Sequence, residues 1–291
     1  MASGWRSIII GHHESLELSN NQLLVKCEEE KQAIPLEQVR DLMVAHPSGS
    51  TSFALLQRLA EEGVNVVLCD HRYEPSARLI SISGHMEAAG HLFDQVAWKQ
   101  KKKDALWRQI VRRKIVMQAE LLERLKCQDA KEMRNYAAKV LTGDSTNREG
   151  IAAKVYFRAL FGADFVRHAA DATNAALNYG YTILNTSVSR AIAAHGYNTA
   201  IGVHHCNRQN YVNLSCDLME PFRPLVDEIV VENISCELDW SYKKELISVL
   251  QRTCRLDGKE YKLGDALDLF ILQGMDVMQG KRKKVGVVSF A

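Results

Sequence analysis

Between residues 202 and 227 the chain reads GVHHCNRQNYVNLSCDLMEPFRPLVD, a dense set of groups able to bind a metal ion. Two adjacent histidines, His204 and His205, lie 12 to 16 residues ahead of two carboxylates, Asp217 and Glu220. Imidazole nitrogen and carboxylate oxygen both ligate divalent metals. Asp217 and Glu220 are three apart, so a helical backbone puts them on one face, with Arg223 three residues further along it. Pro221 and Pro224 interrupt an apolar stripe of Leu214, Leu218, Phe222, Leu225 and Ile229. A helix built only to pack gains nothing from two prolines, since each removes a backbone donor. A structural reading competes: Asp-x-x-Glu before an apolar run also matches a helix start, with Asp217 as N-cap and Glu220 as its capping-box partner. A third carboxylate, Glu149, opens another helical pattern beside Gly150, and there Thr146-x-x-Glu149 again fits a capping box.

The charge is unevenly placed. The whole chain of 291 residues carries a formal net charge of only +2. Residues 99–114 (KQKKKDALWRQIVRRK) nevertheless hold Lys99, Lys101, Lys102, Lys103, Arg108, Arg112, Arg113 and Lys114 against the single acid Asp104. A second basic run is Lys281, Arg282, Lys283 and Lys284. Two concentrated basic segments on an otherwise acidic body point to a polyanion as partner, the competing reading being a solvated helix face and a disordered tail.

The elements that must position these groups fall into two sets. Residues 1–82 read as a small β-rich, sandwich-like domain with one helix. Short apolar runs at 7–11, 15–18, 22–27, 33–35, 42–45, 64–69 and 78–82 are separated by turn residues, with Asn20-Asn21 as a hairpin signal. The one helix covers 52–62, with Phe53, Leu55, Leu56 and Leu59 at helical spacing. Residues 83–93 form the expected linker. Residues 94–291 read as an all-α domain, giving an α+β chain of two domains. Its helices are expected at 94–126, 130–141, 146–160, 163–178, 181–195, 221–232, 241–255 and 264–279, with Gly180 and Gly196 marking stops. No apolar run is long enough to span a membrane, and the first residues do not resemble a signal peptide. Seven scattered cysteines without a CxxC pair suggest free thiols in a reducing cytoplasm.

Four segments occur in order: EGIAAKVYF, RHAADATNAALNYGYTIL, AHGYNTAIGVHH and LSCDLMEPFRPLVD. Together they resemble the CRISPR-associated integrase family, the universal nuclease-like subunit of spacer acquisition in prokaryotic CRISPR immunity. The resemblance covers the whole chain. It implies that Glu149, His205 and Glu220 are metal ligands and catalytic residues, with Asp217 as a supporting carboxylate. Many members carry aspartate where this chain has Glu220. The segment holding Asp171, Asn174, Leu177, Asn178, Tyr179 and Gly180 resembles the family's scaffold around the site. The IGVHHCN and LNYGYTILN wording is most similar to the type II branch.

What the family does is then an expectation for this chain. The reaction joins the 3′-hydroxyl of captured DNA to a CRISPR repeat by transesterification, and water as attacker gives endonuclease activity. Two carboxylates and one imidazole favour Mg²⁺ or Mn²⁺ and leave open positions for water and phosphate. The residues alone leave open whether His204 or His205 is the ligand. The basic segments, with Arg148, Arg158, Arg167, Arg190 and Arg223 around the site, are expected to meet DNA phosphates. Arg223 has the alternative of pairing with Glu220 or Asp217. The resemblance further implies a homodimer formed through the β domain and a heterohexamer with a small dimeric second acquisition protein. In type II systems it adds a ring-forming accessory protein and the effector nuclease. The rival is a non-catalytic basic DNA-binding scaffold in which the same polar residues are caps and core groups.

Overall fold

Alternating apolar residues and a tight two-residue turn build the first strands. Asn20 and Asn21 both take positive φ (48° and 59°), the backbone that a right-twisted hairpin needs. They join β2 (Ser15–Ser19) to β3 (Gln22–Cys27) in antiparallel register, Leu18 opposite Leu23. The computed structural model describes residues 4–11, 15–27, 30–79, 81, 85–234 and 236–291. Its chain divides into two units, Met1–His85 and Met86–Ala291.

In the first unit β4 (Glu30–Pro35) and β6 (Ser50–Thr51) complete a sheet of order β4-β3-β2-β6. A second sheet, β1-β5-β7-β8, is formed by β1 (Arg6–Ile10), β5 (Val39–Val44), β7 (Asn65–Cys69) and β8 (Pro75–Leu79). Both sheets and helix α1 (Phe53–Glu61) feed one core, including Leu16, Leu23, Leu42, Leu55, Leu59 and Val66. Ser52 caps α1 by accepting the Leu55 N–H. Phe53, expected on the apolar side, is instead 89% exposed. The strand expected over 78–82 runs earlier, and its positions 80 and 82 lie outside the described residues, as do 83 and 84 of the expected linker.

The second unit is mostly helical. It contains α2 (Ala88–Val96), α3 (Gln100–Arg124), α4 (Ala130–Ala138), α5 (Arg148–Phe161) and α6 (Ala172–Ala194). Then follow α7 (Asn213–Met219), α8 (Arg223–Glu232), α9 (Trp240–Ile247) and α10 (Leu263–Gln279). Leu106, Ile110, Val111, Ile115, Ala119 and Leu122 bury the expected face of α3.

Four expectations need correction. The helix expected over 94–126 is two, because Ala97 and Trp98 close α2 and Lys99 turns extended. Much of the expected linker is therefore helix. The two helices expected over 163–178 and 181–195 are one, α6, capped by Asp171 accepting from Asn174. Gly180 does not end it. A Cβ there would sit 2.4 Å from Val226 Cγ1 and 3.3 Å from Leu246 Cδ2, so the glycine is needed for close helix packing. The unit is also not all-α. β9 (Thr253–Leu256), β10 (Lys259–Lys262) and β11 (Val288–Phe290) form an antiparallel sheet of order β10-β9-β11. The turn residues Asp257 and Gly258, both at positive φ, make the β9–β10 hairpin, and β11 ties the chain's last residues to it. Among the described residues no helix is long and apolar enough to cross a membrane, and all seven cysteines are free.

The packing at Gly180 gives a direct test. Gly180→Ala is expected to destabilise the protein by about 2 kcal/mol, because β-branched Val226 cannot swing away. Adding Val226→Ala should recover part of the loss, giving a favourable coupling of about 1 kcal/mol in denaturant unfolding. Strict additivity of the two changes would show that the contact is not what excludes a side chain at 180.

Candidate active site

Asp217 organises the histidine loop. It lies inside α7 with its side chain fully buried, so it is not a helix cap. Its Oδ2 accepts the N–H of Val203 at 2.6 Å and of His204 at 2.9 Å, and Oδ1 accepts the N–H of His205 at 3.1 Å. Oδ1 also lies 2.6 Å from His205 Nδ1. Such an approach requires a glycine at 202, where a Cβ would stand 2.3 Å from the His205 carbonyl oxygen and 2.8 Å from Asp217 Oδ2. Gln95, 1% exposed on α2, clamps the start of the loop through the Asn198 N–H and the carbonyls of Asn198 and Ile201. Asn213 holds its middle through the carbonyls of Ala200 and Asn207.

The two histidines have different roles. His204 stacks flat on Trp107 of α3, ring centroids 4.2 Å apart. His205 is fixed by Asp217 through Nδ1, an arrangement that leaves Nε2 as the ring's remaining ligand position. The Asp217 hydrogen bond raises the His205 pKa above its ordinary value against the opposing effect of burial. The charges of Asp217, Glu220 and Glu149 add to the rise, which places both glutamates in its field.

The prolines shape the next turn. Pro221 and Pro224 each sit where a missing N–H is tolerated, at the start of the 3₁₀ turn Glu220–Phe222 and of α8. This offset between α7 and α8 buries Glu220, 3% exposed, against α3. Its Oε1 pairs with Arg223 at 2.9 Å and its Oε2 with the Lys114 ammonium at 2.5 Å. The same ammonium donates to Glu149 Oε1 at 2.6 Å. Glu149 comes from the first turn of α5, where Asp144 accepts the N–H groups of Arg148 and Glu149, and Asn147 accepts that of Gly150. The capping is thus done by Asp144 and Asn147, and the Glu149 carboxylate is left to face Lys114.

Charge compensation governs the centre. Burial alone would raise the Glu220 pKa, but Arg223 and Lys114 outweigh it and hold the carboxyl low. Burial would lower the Lys114 pKa, and the charges of Glu220 and Glu149 overcome it. Behind Arg223, whose guanidinium lies 4.4 Å from the Tyr181 ring centroid, Asp227 accepts hydrogen bonds from Tyr181 and, at 2.7 Å, from Tyr156.

The structure therefore brings Glu149, Glu220, Asp217, His205 and Arg223 into one centre, with His204 packed at its edge. Arg223 takes its expected alternative, a carboxylate partner. Lys114 leaves the set of expected DNA contacts, because its side chain is 11% exposed and occupied by the two glutamates. Arg190 also leaves it, being buried and held by both oxygens of Asp268. Arg167 is drawn onto Asn174 and Asn178 and over the rings of Phe157 and Tyr181. Arg148 is half-buried on the first turn of α5.

The basic segments form a shared surface. Lys99, Lys101, Lys102, Arg108 and Arg112 are exposed, whereas Lys103 and Arg113 are half-buried. Lys102, Arg108 and Arg113 are anchored by the carbonyls of Met278, Val140 and Val288. Residues 281–284 are exposed and run beside α3, where the Gln109 side chain meets the backbone of Lys283 and Val285. Sequence reading assigned Lys114 to DNA contact because it lies within a basic run, and missed Gln95, Tyr156, Tyr181 and Asp227 because nothing in their spacing sets them apart.

Among the described residues no three His, Cys, Asp or Glu side chains stand close enough together to hold a metal ion as placed. The donor set still fits a hard divalent cation. Two carboxylates and an imidazole oriented by a carboxylate are suitable donors. Glu220 Oε2 is buried at the centre, where the Lys114 ammonium at 2.5 Å already supplies a positive charge.

Asp227 supplies a pH test. Burial raises its pKa from 3.8 to about 6, with the tyrosine hydrogen bonds working against the rise. The folded state thus holds a proton that the unfolded state releases, so this group's contribution to stability is present below pH ~4 and lost as pH rises through about 6. The stability of wild type relative to Asp227→Asn should fall by on the order of 2 kcal/mol between those pH values, measured by denaturant unfolding. A flat difference would mean that the carboxyl titrates at its ordinary value.

The family model described as CRISPR associated protein Cas1 matches residues 8–241. The CRISPR-associated endonuclease Cas1 of Neisseria meningitidis serogroup C (strain 8013) is 32% identical over 273 residues, spanning 92% of this chain and 90% of that protein. Among solved structures, a Cas1 protein from Thermotoga maritima superposes with a TM-score of 0.78 at 16% identity, covering 97% of this chain and 99% of its own. A casposase bound to integration product superposes with a TM-score of 0.77 at 16% identity, covering 96% and 92%. At these identities the structural likenesses establish the fold alone.

Proposed function

The chain belongs to the CRISPR-associated Cas1 family, and we propose that it is a metal-dependent DNA integrase and endonuclease of CRISPR adaptation. It would join the 3′-hydroxyl ends of captured DNA to a CRISPR repeat by transesterification. The observation that carries the reading is the meeting of Glu149 and Glu220, from separate elements, on one cationic centre beside an oriented His205. Glu149, Glu220 and His205 Nε2 would hold Mg²⁺ or Mn²⁺. Bound there, the ion supplies Lewis-acid polarisation of the phosphodiester and neutralises charge on the attacking and leaving oxygens.

The chain's own residues do the positioning. Asp217 fixes the tautomer and orientation of His205 while holding the loop backbone. Arg223 fixes Glu220 Oε1, so the other oxygen faces the centre. His205 can exchange a proton at Nε2 when no cation occupies it. The outward side chains of Lys99, Lys101, Arg112, Lys281, Lys283 and Lys284 would neutralise phosphates along a duplex, with Arg148 and Arg167 nearer the centre. Family membership supports a small dimeric second acquisition protein as partner and a homodimer through the β-rich unit. The likeness to the Neisseria protein agrees with the type II branch, where the ring-forming accessory protein and effector nuclease would join.

Strand transfer tests the reading. Purified protein is mixed with a labelled duplex bearing 3′-hydroxyl ends, a repeat-containing plasmid, the small partner and Mn²⁺. Glu149→Gln, His205→Ala and Glu220→Gln should each reduce joined product by about 100-fold or more while duplex binding persists. Joining that survives all three changes would leave these residues structural and favour a scaffold role.

A separate measurement tests the basic surface. Combined Lys99→Ala, Lys101→Ala, Arg112→Ala and Lys283→Ala changes should weaken duplex binding for all sequences alike. The slope of log affinity against log salt should become shallower by roughly one per lost contact. An unchanged slope would place the DNA on another face.

A further inference from the structure

Lys114 is the group at the centre that the proposed chemistry does not use. It projects from α3, a helix anchored by buried Leu106, Trp107, Ile110, Val111 and Ile115, and not from the elements that carry the candidate ligands. Its ammonium bridges Glu149 Oε1 at 2.6 Å and Glu220 Oε2 at 2.5 Å. Both contacts are short, charge-assisted ones, so a single ammonium holds the two carboxylates together. Glu220 Oε1 is separately secured by Arg223, so losing the lysine would release only the oxygen that faces the centre.

We propose that Lys114 is a placeholder: its ammonium keeps Glu149 and Glu220 together in the metal-free protein and withdraws when a divalent cation binds. The inference rests on the reading of Glu149, His205 and Glu220 as cation ligands. Three physical considerations carry it. A buried carboxylate and a half-buried one that meet on the same ammonium repel each other unless a cation lies between them, so the metal-free fold needs a resident positive charge. A divalent ion arriving with the ammonium still in place would put it against both Lys114 and Arg223 in a low-dielectric pocket. Lysine also suits the role, because its point charge sits on a flexible four-carbon stem and can leave without moving α3, unlike a planar guanidinium fork. Lys114 is thus a positioning residue, setting how strongly the free protein takes up its cation.

The test reads the lysine itself. Wild-type protein is treated briefly with an amine-acetylating ester, with and without saturating Mn²⁺, and acetylation at each lysine is quantified by mass spectrometry. Lys114 should be protected without the ion and become at least fivefold more reactive with it, while exposed Lys99 and Lys101 stay constant. In parallel, calorimetry of Mn²⁺ binding should show Lys114→Gln binding about tenfold more tightly than wild type, and Glu149→Gln and Glu220→Gln binding weakly. If wild type binds Mn²⁺ through the two glutamates but Lys114 stays equally protected, the placeholder role is overturned. The acetylation readout needs no variant, so poor folding of Lys114→Gln leaves the test intact. If neither wild type nor Lys114→Gln binds Mn²⁺, the cation-site reading itself falls, and the placeholder with it.

Discussion

Two carboxylates on different elements must stay together at the centre, although they repel each other and burial penalises Glu220. Glu149 opens α5 and Glu220 sits in the short turn between α7 and α8. The fold meets the constraint with cations from two further directions, Lys114 from α3 and Arg223 from α8. Much of the helical unit can be understood from this need. α3 has to run past the centre at the height of residue 114. The prolines must offset α7 from α8. Tyr181 must lie under Arg223 so that its guanidinium rests on a ring face.

The histidine loop answers a different constraint. A segment without regular hydrogen bonding would leave its N–H groups unpaired if buried. Asp217 resolves this by taking three consecutive backbone donors and one ring nitrogen. One buried carboxylate thereby fixes the backbone that carries His205 and the tautomer of the ring. His204, one residue earlier, lies flat on Trp107, and the His205 ring stands edge-on to both of them. The indole thus packs the pair from one side, while Asp217 on the Nδ1 of the second ring makes only that imidazole an oriented one.

Legibility in the sequence followed the range of the forces involved. Local signals were read well. Asn20-Asn21 marks its hairpin, Ser52 starts its helix, and the apolar spacing from Leu106 to Leu122 marks the buried face of α3. Signals set by distant partners were not. Gly180 looks like a helix stop until Val226 is seen against it. The break between α2 and α3 has neither glycine nor proline, so nothing local announces it. The β9–β10 hairpin has a local sign in Asp257-Gly258, but the helical pattern expected over 241–255 runs up to that turn and masks the strand before it. Glu149, His205 and Glu220 stood out because their types and order match a family. Lys114 was hidden among seven other basic residues, since only the fold distinguishes a buried counter-ion from a solvated one.

The charges in contact at the centre show how these pieces depend on one another. Asp217, Glu149 and Glu220 are acidic; Lys114 and Arg223 are basic; His205 is held where neighbouring carboxylates favour its protonated form. Lys114 and Arg223 offset the two glutamates that meet on them. Under the proposed exchange a divalent ion would supply at least the positive charge that the departing ammonium removes, so the carboxylates would not be left uncompensated. Glu220 fits this exchange because its two oxygens face different partners, Arg223 and Lys114. Under the proposed exchange one would stay paired throughout while the other would pass from the ammonium to the cation. The guanidinium on the first oxygen would hold the carboxylate from turning while the second changed partner.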